Sequence, residues 1–336
     1  MTNVSGAQLE SELPPVDPIA PEESKKIVGR SPWQIARSRL RRDKVSMASI
    51  VIIILFLLMA ISAPILQTLN IIDPYSFHNA LVQGPGSMPT GPYGGISSGH
   101  LLGVEPQTGR DLLSRLVAGV TLSMVISISA TALSITIGTV LGIISGYMGK
   151  GVDFVIGRFI DLILAFPQLL MLLALSVVLI DKITSFGVPP GAPSRVVYLI
   201  VVLGFFGFPY FARIIRGQVL SLKEREFVEA ARSLGAGRWR IYFKELLPHL
   251  WAPILVYSTL LMPQNIATEA ALGFLGVGIQ APTPSFGSIL NDSVHYASVD
   301  PPYFIFPGVT LFLVVLAFNL VGDGFRDALD PKADRQ

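Results

Sequence analysis

The sequence predicts an all-α protein that crosses a membrane six times, and three observations lead there. Of its 336 residues, 51% are apolar and 14% charged, with a mean hydropathy of +0.59. That is too little polar surface to coat a soluble globule of this length. Long apolar runs, each near the ~20 residues that cross a bilayer, occur six times. Finally, with the N-terminus placed inside, 21 of the 25 lysines and arginines fall in inside segments and 4 in outside ones, so both termini are expected in the cytoplasm.

The elements follow in chain order. Residues 1–44 hold prolines, a Glu-rich patch and then WQIARSRLRRDK. The first 30 or so lack an apolar run and are expected to be a disordered cytoplasmic tail without a signal peptide. Ser31-Pro32 has the form of an N-cap and first helical residue. The basic stretch after it suits either a helix lying on lipid headgroups or the positive flank of the first span, and the residues leave both open.

The first span is residues 45–66, and an extracytoplasmic loop over residues 67–115 follows, rich in glycine and proline and expected to lack secondary structure of its own. Asp111 is placed to start the helix that leads Leu112, Leu113 and Leu116 into the second span. The transmembrane core, residues 116–323, contains the other runs: part of 116–148, then 162–180, 196–212, 250–276 and 302–322. The second run exceeds one crossing, so part of it must tilt or emerge. Arg213 and Arg216 are expected to mark where the fourth run leaves the membrane. Pro167, Pro209 and Pro263 fall inside runs and free carbonyls that neighbouring helices must satisfy, which places those helices against others. Arg158 and Asp161, three apart, suit a local ion pair. Residues 324–336 are expected to be a cytoplasmic tail.

Residues 221–248 form a charged island in this apolar chain. Phe227, Ala230, Ala231 and Leu234 repeat at helical spacing, and so do Trp239, Tyr242, Phe243 and Leu246. Gly235-Ala236-Gly237 between them predicts helix, tight turn, helix, with Pro248 closing the second. Helical pattern alone is equally satisfied by a hairpin lying on the membrane surface.

Several chemistries lack their parts. Cysteine is absent, so there is no disulfide, thiolate metal site or cysteine nucleophile. The four histidines, His78, His100, His249 and His295, form no H-E-x-x-H. Gly95-Ile96-Ser97-Ser98-Gly99 fits G-x-S-x-G but sits among glycines and prolines, without the strand and helix of a nucleophile elbow. There is no G-x-x-x-x-G-K-[ST], so any ATP-driven work requires a separate ATPase. A net charge of +2 does not argue for nucleic acid, and no internal repeat of 20–50 residues is visible. No metal, cofactor or catalytic site is expected in the chain itself.

The order Glu229-Ala230-Ala231, Gly235, Leu247-Pro248 resembles the EAA loop of permease subunits in bacterial ABC importers, with Glu245 where that motif has isoleucine. HLLGVEPQTGRDLLSRLVAGVTLS (100–123), EAALGFLGVGIQAPTPSFGSIL (269–290) and NLVGDGFRDALDPK (319–332) resemble segments of the permeases of dipeptide, oligopeptide and nickel importers. Gly273 stands where that family often has serine. The resemblance implies the type I ABC importer permease fold in a bacterial inner membrane. It also implies a second permease subunit, two ATP-binding subunits or domains carrying ATP and magnesium, and an extracytoplasmic solute-binding protein. Through it, Glu229, Ala230, Ala231, Gly235, Leu247 and Pro248 are expected to dock in a groove on the ATPase, and the expected cargo is a short peptide, with a nickel chelate or another small solute as the alternative.

Glu269 is the charge set furthest into a span, where ionisable groups are costly unless paired or facing water. Two roles stay open for it: lining the pathway, or capping the break before Gly273, Gly276 and Gly278. The rival class is a self-sufficient secondary transporter or channel, which requires intramembrane ionisable residues or broken helices at an ion site.

Overall fold

Helices dominate the computed structural model, which describes residues 32–84 and 86–329. Ser31, the tail before it and the last seven residues lie outside the described range. In chain order the helices are α1 (Pro32–Arg42), α2 (Lys44–Thr68), α3 (Leu112–Met148), α4 (Lys150–Ala165), α5 (Gln168–Ser185) and α6 (Ala192–Leu222). They continue with α7 (Glu226–Ser233), α8 (Arg238–His249), α9 (Trp251–Phe274), α10 (Phe286–Val294) and α11 (Pro301–Leu329). Five of these are long and apolar enough to span a membrane, and the bent pair α8–α9 makes up to six.

Two helices form the axis of the bundle. The apolar windows of α3 and α6 are 61% and 67% buried, against 22%, 11% and 28% for α2, α5 and α11. Gly138, Gly142 and Gly146, spaced by four, put one glycine per turn on the face of α3 that meets α6. A Cβ at these positions would lie 2.7 Å from Phe211 Cδ1, 2.7 Å from Ile215 Cβ and 2.8 Å from Val219 Cβ. The backbones therefore approach as closely as glycine permits. α3 is one unbroken helix of 37 residues, about 55 Å at 1.5 Å per residue, so it does emerge from a ~30 Å hydrocarbon layer. Asp111 caps it, its carboxylate accepting from the Ser114 N–H at 2.7 Å.

Three expectations need correction. The run 162–180 is not one helix: Phe166 (ψ 137°) and Pro167 (ψ 111°) are extended and separate α4 from α5. Proline's ring disfavours helical backbone at the residue before it, and Pro167 stands at the N-cap of α5 rather than inside a span. Pro209 and Pro263 do lie inside helices and are buried. The second correction concerns Arg158 and Asp161, expected to pair with each other, and it involves α6, which as a helix runs on past Arg213 and Arg216 to Leu222. Asp161 and Asp153 of α4 pair with these arginines, at 2.5 Å each, which lets the helix carry them onward. Asp161 therefore engages Arg213 closely and Arg158 only at 3.8 Å, so the expected local pair is the weaker contact.

The third correction is the loop after α2. It has structure of its own: a 3₁₀ turn at Asn79–Leu81, an antiparallel pair β1 (Val82–Gln83) and β2 (Met88–Pro89), and a bridge between Val104 and Asp111. Its fold needs glycine where chains cross. Gly109 has φ +65°, and a Cβ there would lie 2.3 Å from the His78 carbonyl oxygen. The loop and α10 occupy one end of the bundle, while α4, α7 and α8 occupy the other.

Candidate functional sites

The hairpin is α7 and α8. Leu234 ends α7 with its N–H donating to the Ala230 carbonyl, and Ala236 N–H donates to Ala231 O at 3.0 Å. Gly235 between them has φ +79°, the left-handed backbone that glycine adopts freely. α8 is irregular: one α turn, a π-wound segment Ile241–Leu246 and a 3₁₀ turn Leu247–His249. Pro248 sits in that last turn, and the chain then bends by 65° into α9.

The inward face differs from the expected one. Val228 of α7, with Ile241, Tyr242 and Leu246 of α8, is buried against Ile143 of α3 and Phe211, Ile215 and Val219 of α6, and Ala231 of α7 is buried as well. Glu229, Ala230 and Leu234 face outward, Leu234 being 87% exposed. Ala231 is thus part of the protein's own packing, whereas Ala230 is free. On α8, Trp239 and Phe243 stack on each other at 5.9 Å and stay exposed, where the spacing placed them with Tyr242 and Leu246. Rings lock the base: Phe227 stacks on His249 at 4.5 Å, Tyr147 meets Tyr242 edge-on at 5.2 Å, and the Arg232 guanidinium lies over Tyr147. Arg216 donates to both Asp153 oxygens, and this hydrogen bonding above all holds the Asp153 carboxyl down at about 2.

Glu269 is fully enclosed between α3, α9 and the start of α10. Ser123 Oγ donates to its Oε2 at 2.7 Å, and the Phe286 N–H donates to Ser123 Oγ at 3.3 Å. No solvent-facing surface of this chain presents it. Immediately beyond, α9 ends at Phe274 and Gly276 turns the chain with φ +79°. Gly273 is packed so tightly on α10 that a Cβ would lie 2.6 Å from Gly287 Cα, so a serine there needs α10 to shift.

At the opposite end from the hairpin is a cluster that spacing did not reveal. Glu105 receives Arg110 Nε on Oε2 at 2.7 Å, Arg115 Nε on Oε1, and the Tyr303 hydroxyl on Oε1 at 3.2 Å. Arg115 also donates to the carbonyls of Pro74 and Pro282. This fastens the loop to α3, to the segment before α10 and to α11. Asp292 of α10 stands nearby, and burial first, then the Glu105 charge, pushes its carboxyl up. The string GRDLLSR carried both arginines, but their acid partner could not be chosen from sequence.

Residues 138–335 match the family described as binding-protein-dependent transport system inner membrane component, and residues 31–82 match the N-terminal transmembrane domain of oligopeptide transport permease C. The chain is 36% identical to the dipeptide transport system permease protein DppC of Alkalihalophilus pseudofirmus, over 94% of this chain and 95% of that protein. It is 35% identical to the glutathione transport system permease protein GsiD of Pectobacterium atrosepticum, over 90% and 92%. With the oligopeptide transport system permease protein OppC of Haemophilus influenzae it shares 34% over 92% of each. Among solved structures it resembles a chain of the MetNI methionine ABC transporter in inward-facing conformations, with a TM-score of 0.51 and 18% identity over 65% of this chain and 98% of that one. That likeness concerns the fold.

Proposed function

Because the chain belongs to the family of binding-protein-dependent transport system inner membrane components, we propose that it conducts short peptides across a bacterial inner membrane as one of two permease subunits of an ABC importer. ATP and magnesium are then held by partner ATPase subunits, and an extracytoplasmic binding protein delivers the cargo. The printed names of the relatives support a peptide cargo: dipeptide, glutathione and oligopeptide permeases over nearly the whole chain.

One observation carries the coupling role. The hairpin is anchored on its back by a buried apolar cluster continuous with α3 and α6, yet its front, with Glu229, Ala230 and Leu234, is left exposed. A small residue between an acid and an exposed leucine lets another protein's backbone come close. In this reading Glu229, Ala230 and the turn at Gly235 meet the ATPase, while Ala231, Leu247 and Pro248 set the shape of the hairpin. The secondary-transporter alternative is disfavoured because Glu269, the one carboxylate of α9, is enclosed and hydrogen-bonded rather than facing a water-filled path. The charge asymmetry supports a cytoplasmic hairpin and cytoplasmic termini.

Ala230→Trp and Glu229→Lys test the reading on the assembled importer. Both should leave the chain's abundance near normal, weaken retention of the ATPase about tenfold or more, the factor that ~1.4 kcal/mol represents, and abolish peptide uptake. Retention of the ATPase and uptake at wild-type level would refute the docking role. Gly235→Val adds backbone strain, because nothing crowds a side chain there but φ is +79°. Sidedness is read separately in this cysteine-free chain: Asn79→Cys should label with an impermeant thiol reagent from outside, and Leu234→Cys only after permeabilisation. Labelling of both from one side would overturn the orientation.

A further inference from the structure

Between α6 and α9, beside the start of α5, lies a cavity of about 430 Å³, inside the range of about 300–1,000 Å³ typical of small-molecule sites. Its walls carry Gln168 at the start of α5, Tyr210 of α6, and Tyr257, Gln264 and Asn265 of α9. The α9 residues recur at 257, 261, 264 and 265, one face of a helix, and Tyr210 and Phe211 recur with Phe206 and Ile214 on the facing helix. Asn265 is 5% exposed and donates to Thr131 Oγ1 of α3 at 2.9 Å, which fixes its amide. Tyr210 is 62% exposed, Gln264 is exposed, and Gln168 and Tyr257 are half-buried.

Two features make this a site rather than a packing fault. Among the described residues the side chains of Gln168, Tyr210, Tyr257 and Gln264 make no hydrogen bond within the chain, although they stand on or beside helices long and apolar enough to cross a membrane. Polar side chains placed so are costly unless they face a water-filled path or a ligand. Moreover the lining contains no Asp, Glu, Lys, Arg or His. Amides and phenols each donate and accept, which matches a peptide's alternating N–H and C=O groups without favouring any side-chain charge.

We infer that this cavity is this subunit's share of the peptide passage, and that Gln168, Tyr210, Tyr257 and Gln264 hold the backbone of the passing peptide by neutral hydrogen bonds. The inference rests on the peptide-importer reading above and adds the residues that touch the cargo. Glu269, one and a half turns further along α9, stays outside this surface. Because the hydrogen bonds are neutral and few, retention is weak, as a passage requires. Selectivity among side chains is left to the binding protein.

A charge placed at Gln264 tests this. The assembled importer with its binding protein is put in vesicles, and uptake of a lysine-containing and an aspartate-containing dipeptide is compared, with binding-protein-stimulated ATP hydrolysis as the check on assembly. Gln264→Glu should raise the lysine-to-aspartate uptake ratio about tenfold relative to wild type and Gln264→Lys should lower it about tenfold, since charges act strongly where water is scarce. ATP hydrolysis should change less than about twofold, because the substitution lies far from the hairpin. Opposite shifts cannot come from a merely disturbed fold, which moves both peptides alike. If wild type transports both peptides and the two variants keep its ratio, or shift it in the same direction, the site is wrong. If wild type transports neither, the peptide reading itself fails and this inference falls with it.

Discussion

Removing Glu105 should be among the most damaging single changes at the end of the bundle opposite the hairpin. Its carboxylate is 1% exposed and faces two guanidiniums, those of Arg110 at 6% and Arg115 at 0% exposure. Glu105→Ala leaves both cations buried without their acid. Breaking a buried ion pair from one side costs about 3–5 kcal/mol, most of it the desolvation of the charge left behind. Here the lower end, ~3 kcal/mol, is expected, because Asp292 stands close enough to feel both arginines and can take up part of the charge. The Tyr303 hydroxyl loses its acceptor as well. The complex purified in detergent, followed by thermal unfolding and by protease sensitivity of the loop, provides the assay. Its companion is Glu105→Leu combined with Arg110→Met and Arg115→Met, which removes acid and cations together. This triple variant should recover much of the loss, since a well-packed apolar replacement of a buried ionic cluster is often near neutral. If Glu105→Ala unfolds with wild type, the cluster is not a clasp. If the triple variant is as unstable as the sum of its parts, the cost lies in packing rather than in stranded charge.

Gly142→Val should be more severe than a surface change, because its Cβ would fall 2.7 Å from Ile215 Cβ and 2.8 Å from the Ala212 carbonyl oxygen; an overpacking loss of about 1–3 kcal/mol or more is expected in detergent unfolding, and wild-type stability would refute the close α3–α6 approach. Asp292→Asn should flatten the pH dependence of unfolding. Its folded carboxyl titrates above the ordinary value, so its contribution is full below the unfolded pKa and is lost as pH rises through the folded one. Wild type should therefore lose stability between acid and neutral pH relative to the variant; the reverse slope would show that Asp292 is held as a favourable anion.

The apolar runs made α2 and α11 legible because one long stretch without charge can only be a span. They could not reveal the break at Phe166-Pro167, since the run from Leu162 to Ile180 is apolar on both sides of it. The cue lay in the proline, which forces the residue before it out of helix, and not in hydropathy. The length of α6 was hidden for a different reason. A charge-free run stops at the first arginine, although a helix continues past one whose carboxylate partner it meets, and Asp161 and Asp153 lie 52 and 63 residues earlier. In the hairpin the turn was legible from Gly235, but the inward face was not. α7 has only eight residues, and Phe227, Val228, Ala230 and Ala231 spread apolar groups over about 160° of its girth, too wide an arc to single out one inward residue. Which of them faces in is decided by Ile215 and Val219 of α6, which no local pattern contains.

The hairpin and the cavity share one helix. Phe211, Ile215 and Val219 form a stripe at every fourth residue of α6, and all three belong to the cluster that buries Val228, Ile241, Tyr242 and Leu246. Phe211 also lines the cavity beside Tyr210. From Val219 to Phe211 is eight residues, about 12 Å along the helix axis. Glycines at 138, 142 and 146 hold the same turns of α6 against α3, so α6 cannot bend away locally to absorb a push on the hairpin. Under the proposed docking role, a displacement of the hairpin reaches the cavity wall as movement of α6 together with the turns of α3 held against it. The 65° bend at Leu250 is where α9 can change angle relative to that pair. Under the same proposal, movement driven by a partner ATPase alters the width between Tyr210 and Gln264 without unfolding α6 or α9.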